Sequence, residues 1–330
     1  MIKFCSKIKQ FKNNTPKNRR AFHRMKIFKK IYYHLLFRWF LHRKIRSQNK
    51  DIDNNAGLIT INPLNESKLS HLPKIIWMYW EGNQSALLKA CIQRIRDLHP
   101  DYTIHFLSPE NISLYSQLDF SDEVIQKVTA QQRADLIRFD LIYQHGGIWL
   151  DASTLVYEKL DWIDELIQRT HTQSFAYYRA KNTSNLNYPV IENWLLASTQ
   201  NNIFYRYWGD ELYQALKIGP KNYVAEIKKQ SNSTDIFQRI GRLEYLIAYV
   251  VCQKVMREYP VSMTFIDCDQ NAFLYQVSNQ WVKEKIAIDM AVNLAPQGIP
   301  RLIKLAGKER KALEAIYAKS QYLPKSLIDI

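Results

Sequence analysis

The chain has 330 residues, 46% of them hydrophobic, and a formal net charge of +15. That is enough apolar material for one large core or two small ones. The charge is local: residues 1–50 hold 16 Lys and Arg and no acid, which leaves 30 basic against 31 acidic groups in the other 280 residues. The basic balance therefore belongs to an arm, and the neutral body offers no basic track for nucleic acid.

The arm is patterned. Phe22, Met25, Phe28, Tyr32, Leu35, Leu36 and Trp39 recur at helical spacing, while Lys26, Lys30, His34, Arg38 and His42 follow every four residues. A basic face opposite an aromatic and leucine face predicts a helix lying on an anionic membrane surface, the alternative being a helix that packs on the body with its basic face solvated. The longest nearly apolar run, Ile31 to Leu41, is broken by His34 and Arg38, and falls short of the roughly 20 apolar residues of a spanning helix. It also lacks the small-residue cleavage site of a signal peptide. The expected division is a basic arm over residues 1–50, a polar Asn- and Ser-rich linker over 51–71, with one short strand at Leu58–Ile61, and a folded body over 72–330.

In the body, Lys74–Tyr79 reads as a buried strand and Leu87–Leu98 as an amphipathic helix stopped by Pro100. Tyr102–Leu107 alternates like a strand, and Ser121–His145 supplies one or two helices. Tyr157–Arg169 contains a short helix, and Phe175–Arg179 is another strand. Asn193–Ser198, Tyr205–Leu216 and Gly241–Glu258 are helical by pattern. Alternating strands and helices predict an α/β fold. The four cysteines, Cys5, Cys91, Cys252 and Cys268, are widely spaced without a zinc pattern, as expected of reduced thiols in a cytosolic protein. Cys268, between Asp267 and Asp269, is expected to be a half-buried loop thiol.

The stretch Gln131–Ser153, QQRADLIRFDLIYQHGGIWLDAS, carries the chemistry. Asp135 and Arg138 share a helix face at i and i+3. Leu136, Ile137, Leu141 and Ile142 mark that helix as largely buried, so both charges need partners. Gly146-Gly147 breaks the helix, and the strand Ile148-Trp149-Leu150 delivers Asp151 to the carboxyl edge of a sheet, where open α/β sheets bind ligands. An acid and a base on a helix beside a strand-end acid suit a polyhydroxylated, phosphate-bearing ligand. No glycine-rich phosphate loop or GxGxxG is present, so side chains and a strand-end acid, with or without a metal, must hold any nucleotide.

These residues carry a resemblance. Ala134-Asp135-Leu136-Ile137-Arg138 followed by Gly146-Gly147-Ile148-Trp149-Leu150-Asp151-Ala152-Ser153 resembles the capsular polysaccharide synthesis proteins, relatives of the DXD-type sugar-binding glycosyltransferases. Pro73–Trp80, Ile191-Glu192-Asn193-Trp194 and Leu302-Ile303-Lys304-Leu305 resemble further blocks in the family's order. The resemblance implies a GT-A-like (Rossmann-like) mixed sheet flanked by helices. It implies transfer of a hexose, with retention, from a nucleoside-diphosphate sugar, UDP-hexose first, to a surface polysaccharide or lipid-linked glycan of capsule or lipopolysaccharide type. Asp151 would contact the ribose and a divalent metal, Asp135 sugar hydroxyls, Arg138 sugar or phosphate oxygens, and Trp80 the base. Lys304 would neutralise the departing diphosphate, and Asn193 and Trp194 would line the acceptor side.

A full DXD would place a second carboxylate where this chain has Ser153. The expected manganese or magnesium therefore rests on Asp151, with Ser153 beside it, the donor's phosphates and water, and Asp267 or Asp269 as substitutes from a distant loop. The implied location is the cytoplasmic face of the cell membrane. A non-catalytic nucleotide-sugar- or glycan-binding protein and an RNA-binding protein using the arm are the two alternatives of another class; nucleic acid is not the expected partner.

Overall fold

The computed structural model describes residues 16–47 and 52–330, residues 16–24 by their backbone alone. Cys5 and the first part of the arm lie outside the described residues. The chain runs through α1 (Pro16–Arg43), β1 (Ile59–Ile61), β2 (Ile75–Tyr79), α2 (Ala86–Leu98), β3 (Thr103–Leu107), α3 (Ala130–His145) and β4 (Gly147–Leu150). It continues with β5 (Thr154–Val156), α4 (Asp161–Thr170), β6 (Ser174–Tyr178), β7 (Ile191–Ser198), α5 (Ile203–Ile218) and α6 (Ile247–Glu258). β8 (Met263–Asp267), α7 (Lys283–Ala291), β9 (Leu302–Lys304) and α8 (Gly307–Tyr317) follow.

Seven strands form one mixed sheet in the order β1-β8-β6-β7-β4-β2-β3, and β5 pairs with β9 in a separate two-stranded sheet. β2 is parallel to β3 and β4, β7 is antiparallel to both β4 and β6, and β8 is parallel to β6. Five strands, β2, β3, β4, β6 and β8, therefore end at one edge. Helices cover both faces. Leu136, Ile137, Phe139, Leu141 and Ile142 of α3 join α5 and α6 on one side, and α2 and α4 supply Ile92, Ile95, Ile163 and Ile167 on the other. A third apolar cluster joins β5, β9, α7 and α8. The α/β fold expected from the sequence is the fold observed.

The local signals explain why the elements start and stop. Ser85 caps α2 by accepting from the Leu88 amide, and Thr129 with Gln132 closes a capping box on α3. α3 ends at Gly146, whose φ is +67°, and Gly147 follows at +86°. A Cβ at Gly146 would stand 2.7 Å from the Gln200 nitrogen, and one at Gly147 2.7 Å from the Ile75 carbonyl oxygen. Both glycines are demanded by backbone on two sides. Gly147→Ala is therefore expected to cost more than the ~1–3 kcal/mol of a strained backbone alone. Gly307→Ala, whose Cβ would meet nothing within 4 Å, should be neutral or mildly stabilising; denaturant titration of the two variants checks both.

Four sequence expectations are corrected. Asn193–Ser198 is not a helix but part of β7, all eight of whose residues are buried. A strand buried on both faces has no alternation, and a short apolar run cannot be assigned by period. The helix expected over Gly241–Glu258 begins only at Ile247. The strand expected at Leu58–Ile61 is present as β1, but residues 52–71 are not a free linker around it: β1 pairs with β8, and the Ala56 carbonyl accepts from the Asp267 amide at 3.0 Å. Cys268 is not half-exposed but fully buried, like Cys91 and Cys252.

The arm also differs in detail. α1 packs Tyr33, Leu36, Phe37, Phe40 and Leu41 on the third cluster, while Phe28, Tyr32, Leu35 and Trp39 point to solvent. It is apolar on two sides, with basic residues between, and not a simple two-faced helix. Among the described residues, no helix is long and apolar enough to cross a membrane.

Candidate active site

The carboxyl edge of the sheet gathers the charges. β4 leads into Asp151, and α3, lying against the same strand, directs Asp135 and Arg138 at it. Arg138 Nη2 stands 3.2 Å from Asp135 Oδ1 and 3.4 Å from Asp151 Oδ1. The guanidinium also donates to the backbone carbonyls of Asn193 and Ala134, and sits 4.9 Å from the centre of the Trp149 ring. Asn193 Nδ2 donates to Asp135 Oδ1 at 3.0 Å. Asp135 and Arg138 are only 6% and 4% exposed, so neither belongs to a surface pair; the partners that burial demands are present.

Lys304 arrives from far along the chain. β9 pairs with β5 so that Lys304 lies opposite Thr154, three residues after Asp151. Its Nζ then reaches Asp151 Oδ2 at 2.6 Å. Gln276 anchors the strand end by donating to the Lys304 carbonyl at 2.5 Å. Trp149 Nε1 donates to the other Asp151 oxygen at 3.1 Å. The Asp151 side chain keeps 28% exposure, which makes it the opening of an otherwise closed cluster.

A second set of charges adjoins the first through the neighbours Glu192 and Asn193. Arg179, just past β6, binds Asp269 at 2.9 Å and lies 3.9 Å from Glu192. Tyr249 of α6 donates to Glu192 at 2.9 Å. Burial pushes Glu192 up to about 7, against the pull of Arg179 and the Tyr249 hydrogen bond. Burial likewise pushes Asp135 up to about 6, with Arg138 opposing. Burial acts on Asp151 too, but Lys304 and Arg138 outweigh it and hold the carboxyl below the usual carboxylate range. The site thus holds one firmly ionised, accessible carboxylate and two buried carboxyls poised near neutrality. Such an arrangement can bind a polyol and an anionic leaving group together.

Of the residues singled out in the sequence, Asp135, Arg138, Asp151, Asn193 and Lys304 meet in one cluster. Trp80 follows β2 at the same edge, half-buried, with the Arg310 guanidinium 4.7 Å from its ring centre. Ser153 lies nearly buried in the turn after Asp151. Two expectations change. Trp194 does not line an acceptor pocket: it is 3% exposed and stacked on Tyr177 in the core. Asp267 and Asp269 do not come to Asp151. Asp267 accepts from the Ala180 and Asp269 amides, and Asp269 is held by Arg179. Among the described residues, no three His, Cys, Asp or Glu side chains converge as a metal site. Arg179, Glu192 and Tyr249 escaped sequence reasoning as site residues. Arg179 was findable by the strand-end rule that found Asp151; Tyr249 lies mid-helix and carries no local signal.

Residues 17–263 match the capsular polysaccharide synthesis protein family. The chain belongs to that family. The matched region contains α3, β4 and Asp151 but ends before β9, so in this member of the family Lys304 comes from beyond it. A glycosyltransferase of Aspergillus fumigatus is 24% identical over 187 residues, 52% of this chain and 46% of the relative. An O-glycosyltransferase of Annulohypoxylon truncatum is 28% identical over 103 residues, covering 27% and 24%. The inositol phosphoceramide mannosyltransferase 3 of Schizosaccharomyces pombe is 31% identical over 98 residues, covering 27% and 26%. The chain thus spans less than half the length of these curated relatives. A solved structure, the PaToxG glycosyltransferase, aligns over 94% of this chain and 97% of its own with 13% identity and a TM-score of 0.37.

Proposed function

We propose that this protein is a glycosyltransferase that moves a hexose from a nucleoside-diphosphate sugar, UDP-hexose first among donors, to a glycan or lipid-linked acceptor, with retention. The observation that supports this most is the Asp135–Arg138–Asp151–Lys304 cluster, closed on every side but the Asp151 carboxylate. In this reading Asp135 accepts from sugar hydroxyls and Arg138 orients the sugar and its phosphate. Lys304 leaves Asp151 to neutralise the diphosphate as it departs, as a cation must where leaving-group charge develops. Trp80 offers its ring to the base. Asn193 donates one amide N–H to Asp135 and so positions that carboxylate, beside the acceptor in this reading.

The proposal includes a divalent metal, manganese or magnesium, bound with the donor. Asp151 would hold it, with Ser153 next to it and the donor's phosphates and water completing the set, and the ion would supply further charge neutralisation at the diphosphate. Around Asp151 itself, Asp135 and Asp151 face Arg138 and Lys304, two carboxyls against two cations, so the donor's diphosphate would bring the negative charge that such an ion answers. The proposed location is peripheral, on the cytoplasmic face of the membrane, with the exposed Phe28, Tyr32, Leu35 and Trp39 of α1 in the interface.

A panel of nucleotide sugars and nucleoside diphosphates, with and without manganese, tests the reading by thermal shift. A ligand at 100 times its Kd should stabilise by about 2.7 kcal/mol. Trp80→Ala should weaken the best binder by the ~1–3 kcal/mol of one base stack. Slow release of nucleoside diphosphate without acceptor separates an enzyme from a non-catalytic binder. A protein that no member of the panel stabilises is not a sugar transferase of this kind.

A further inference from the structure

We infer that the cleft between α1 and the α7–α8 pair binds a phosphate-headed lipid, with its hydrocarbon chain in the cleft and its phosphate on the basic rim. This inference stands apart from the sugar-transfer reading and from general attraction to a membrane surface. The cleft holds about 900 Å³, within the roughly 300–1,000 Å³ range of small-molecule sites. Its floor is apolar and comes from three helices: Tyr33, Phe37 and Leu41 of α1, Ile288 of α7, and Ala315 and Ile316 of α8. Its rim carries Lys29, Lys30, Arg38 and Lys283 against a single acid, Glu284. An apolar floor under a basic rim is complementary to an anionic amphiphile. It does not suit a neutral detergent-like molecule, which leaves the rim charges unanswered, or a free phosphate, which leaves the floor empty.

The orientation of α1 argues for the same occupant. At 100° per residue, Lys30, His34, Arg38 and His42 lie between the cleft side of the helix and its outward stripe of Phe28, Tyr32, Leu35 and Trp39. These four are 70%, 47%, 62% and 47% exposed. A surface on which that stripe rests would bring its headgroups level with the basic row, and the cleft opens just beyond. A lipid phosphate can move from such a surface into the cleft without its head leaving the cations.

The test uses the full chain and dodecyl phosphate at concentrations below micelle formation, followed by calorimetry. Saturable one-to-one binding is expected, with inorganic phosphate, dodecyl maltoside and dodecyltrimethylammonium binding at least tenfold more weakly. Ala315→Trp fills the cleft from an exposed helical position and should weaken dodecyl phosphate at least tenfold. The Lys30→Glu/Arg38→Glu double variant should do the same. Phe28→Ser/Trp39→Ser should leave that binding intact while reducing sedimentation with anionic phosphatidylserine vesicles. Undiminished binding to Ala315→Trp overturns the inference, as does equal affinity for the cationic or the neutral amphiphile. Loss of dodecyl phosphate binding only in Phe28→Ser/Trp39→Ser overturns it too, because the lipid would then sit on the outer stripe.

Discussion

Asp151→Asn is expected to lower sugar transfer by at least a hundredfold, the largest effect of any single substitution in the chain. The removed charge is the only accessible carboxylate of the cluster, and losing one preorganised electrostatic contact to the reacting centre typically costs about 10²–10³ in rate. The substitution also has a structural cost. Lys304, 8% exposed, loses its partner at 2.6 Å, whereas Arg138 keeps Asp135. Removing one member of a buried pair costs about 3–5 kcal/mol, and the partial exposure of Asp151 places this case below that range. The double variant Asp151→Asn/Lys304→Met tests the structural part. It removes both charges, so most of the melting temperature should return while transfer stays lost. Recovery of transfer along with stability would show that Asp151 only holds the fold.

The second large effect concerns pH. A carboxyl whose pKa is higher in the folded state than in the unfolded chain binds protons more readily when folded. Stability is then greatest below the unfolded value and declines as pH rises to the folded one. Asp135, at about 6, and Glu192, at about 7, both act in this direction above the ordinary carboxylate range. Asp151 has the opposite sign, but its window lies below that range. The ligand-free protein is therefore expected to melt several degrees higher at pH 5.5 than at pH 7.5. Glu192→Gln should flatten the upper half of the slope and Asp135→Asn the lower half. A melting temperature that rises steadily from pH 5.5 to 7.5 would contradict the assignment of both groups.

The chain declared its site more clearly than its surroundings. Asp135, Arg138 and Asp151 were legible because a helix rich in Leu and Ile cannot leave two charges without partners, and because a Gly-Gly break before a short apolar strand fixes where the next acid points. Lys304 was legible only through the family resemblance: nothing in LIKL shows that β9 will pair with β5. Asn193–Ser198 reads as a helix because β7 is buried on both faces and offers no period from which to tell that Asn193 meets the site and Trp194 the core. The arm showed its helix but not its orientation. Its apolar residues spread over more than half the circumference, and only the body decides which of them turn inward. Tyr33, Leu36 and Phe40 cover part of the third cluster, so removing the arm would expose core as well as detach an anchor.

The meeting of Asp151 with Lys304 spans 153 positions of the chain, and β1 reaches across the sequence to the antiparallel edge of β8. Contacts this distant require large loops to close before they return any stabilisation, and they slow folding. The helices and the parallel strands β2, β3 and β4 can therefore form while the Asp151 edge is still open. On refolding from denaturant, far-ultraviolet circular dichroism should recover first and donor binding last. During synthesis, competence would arrive only once β9 has left the ribosome.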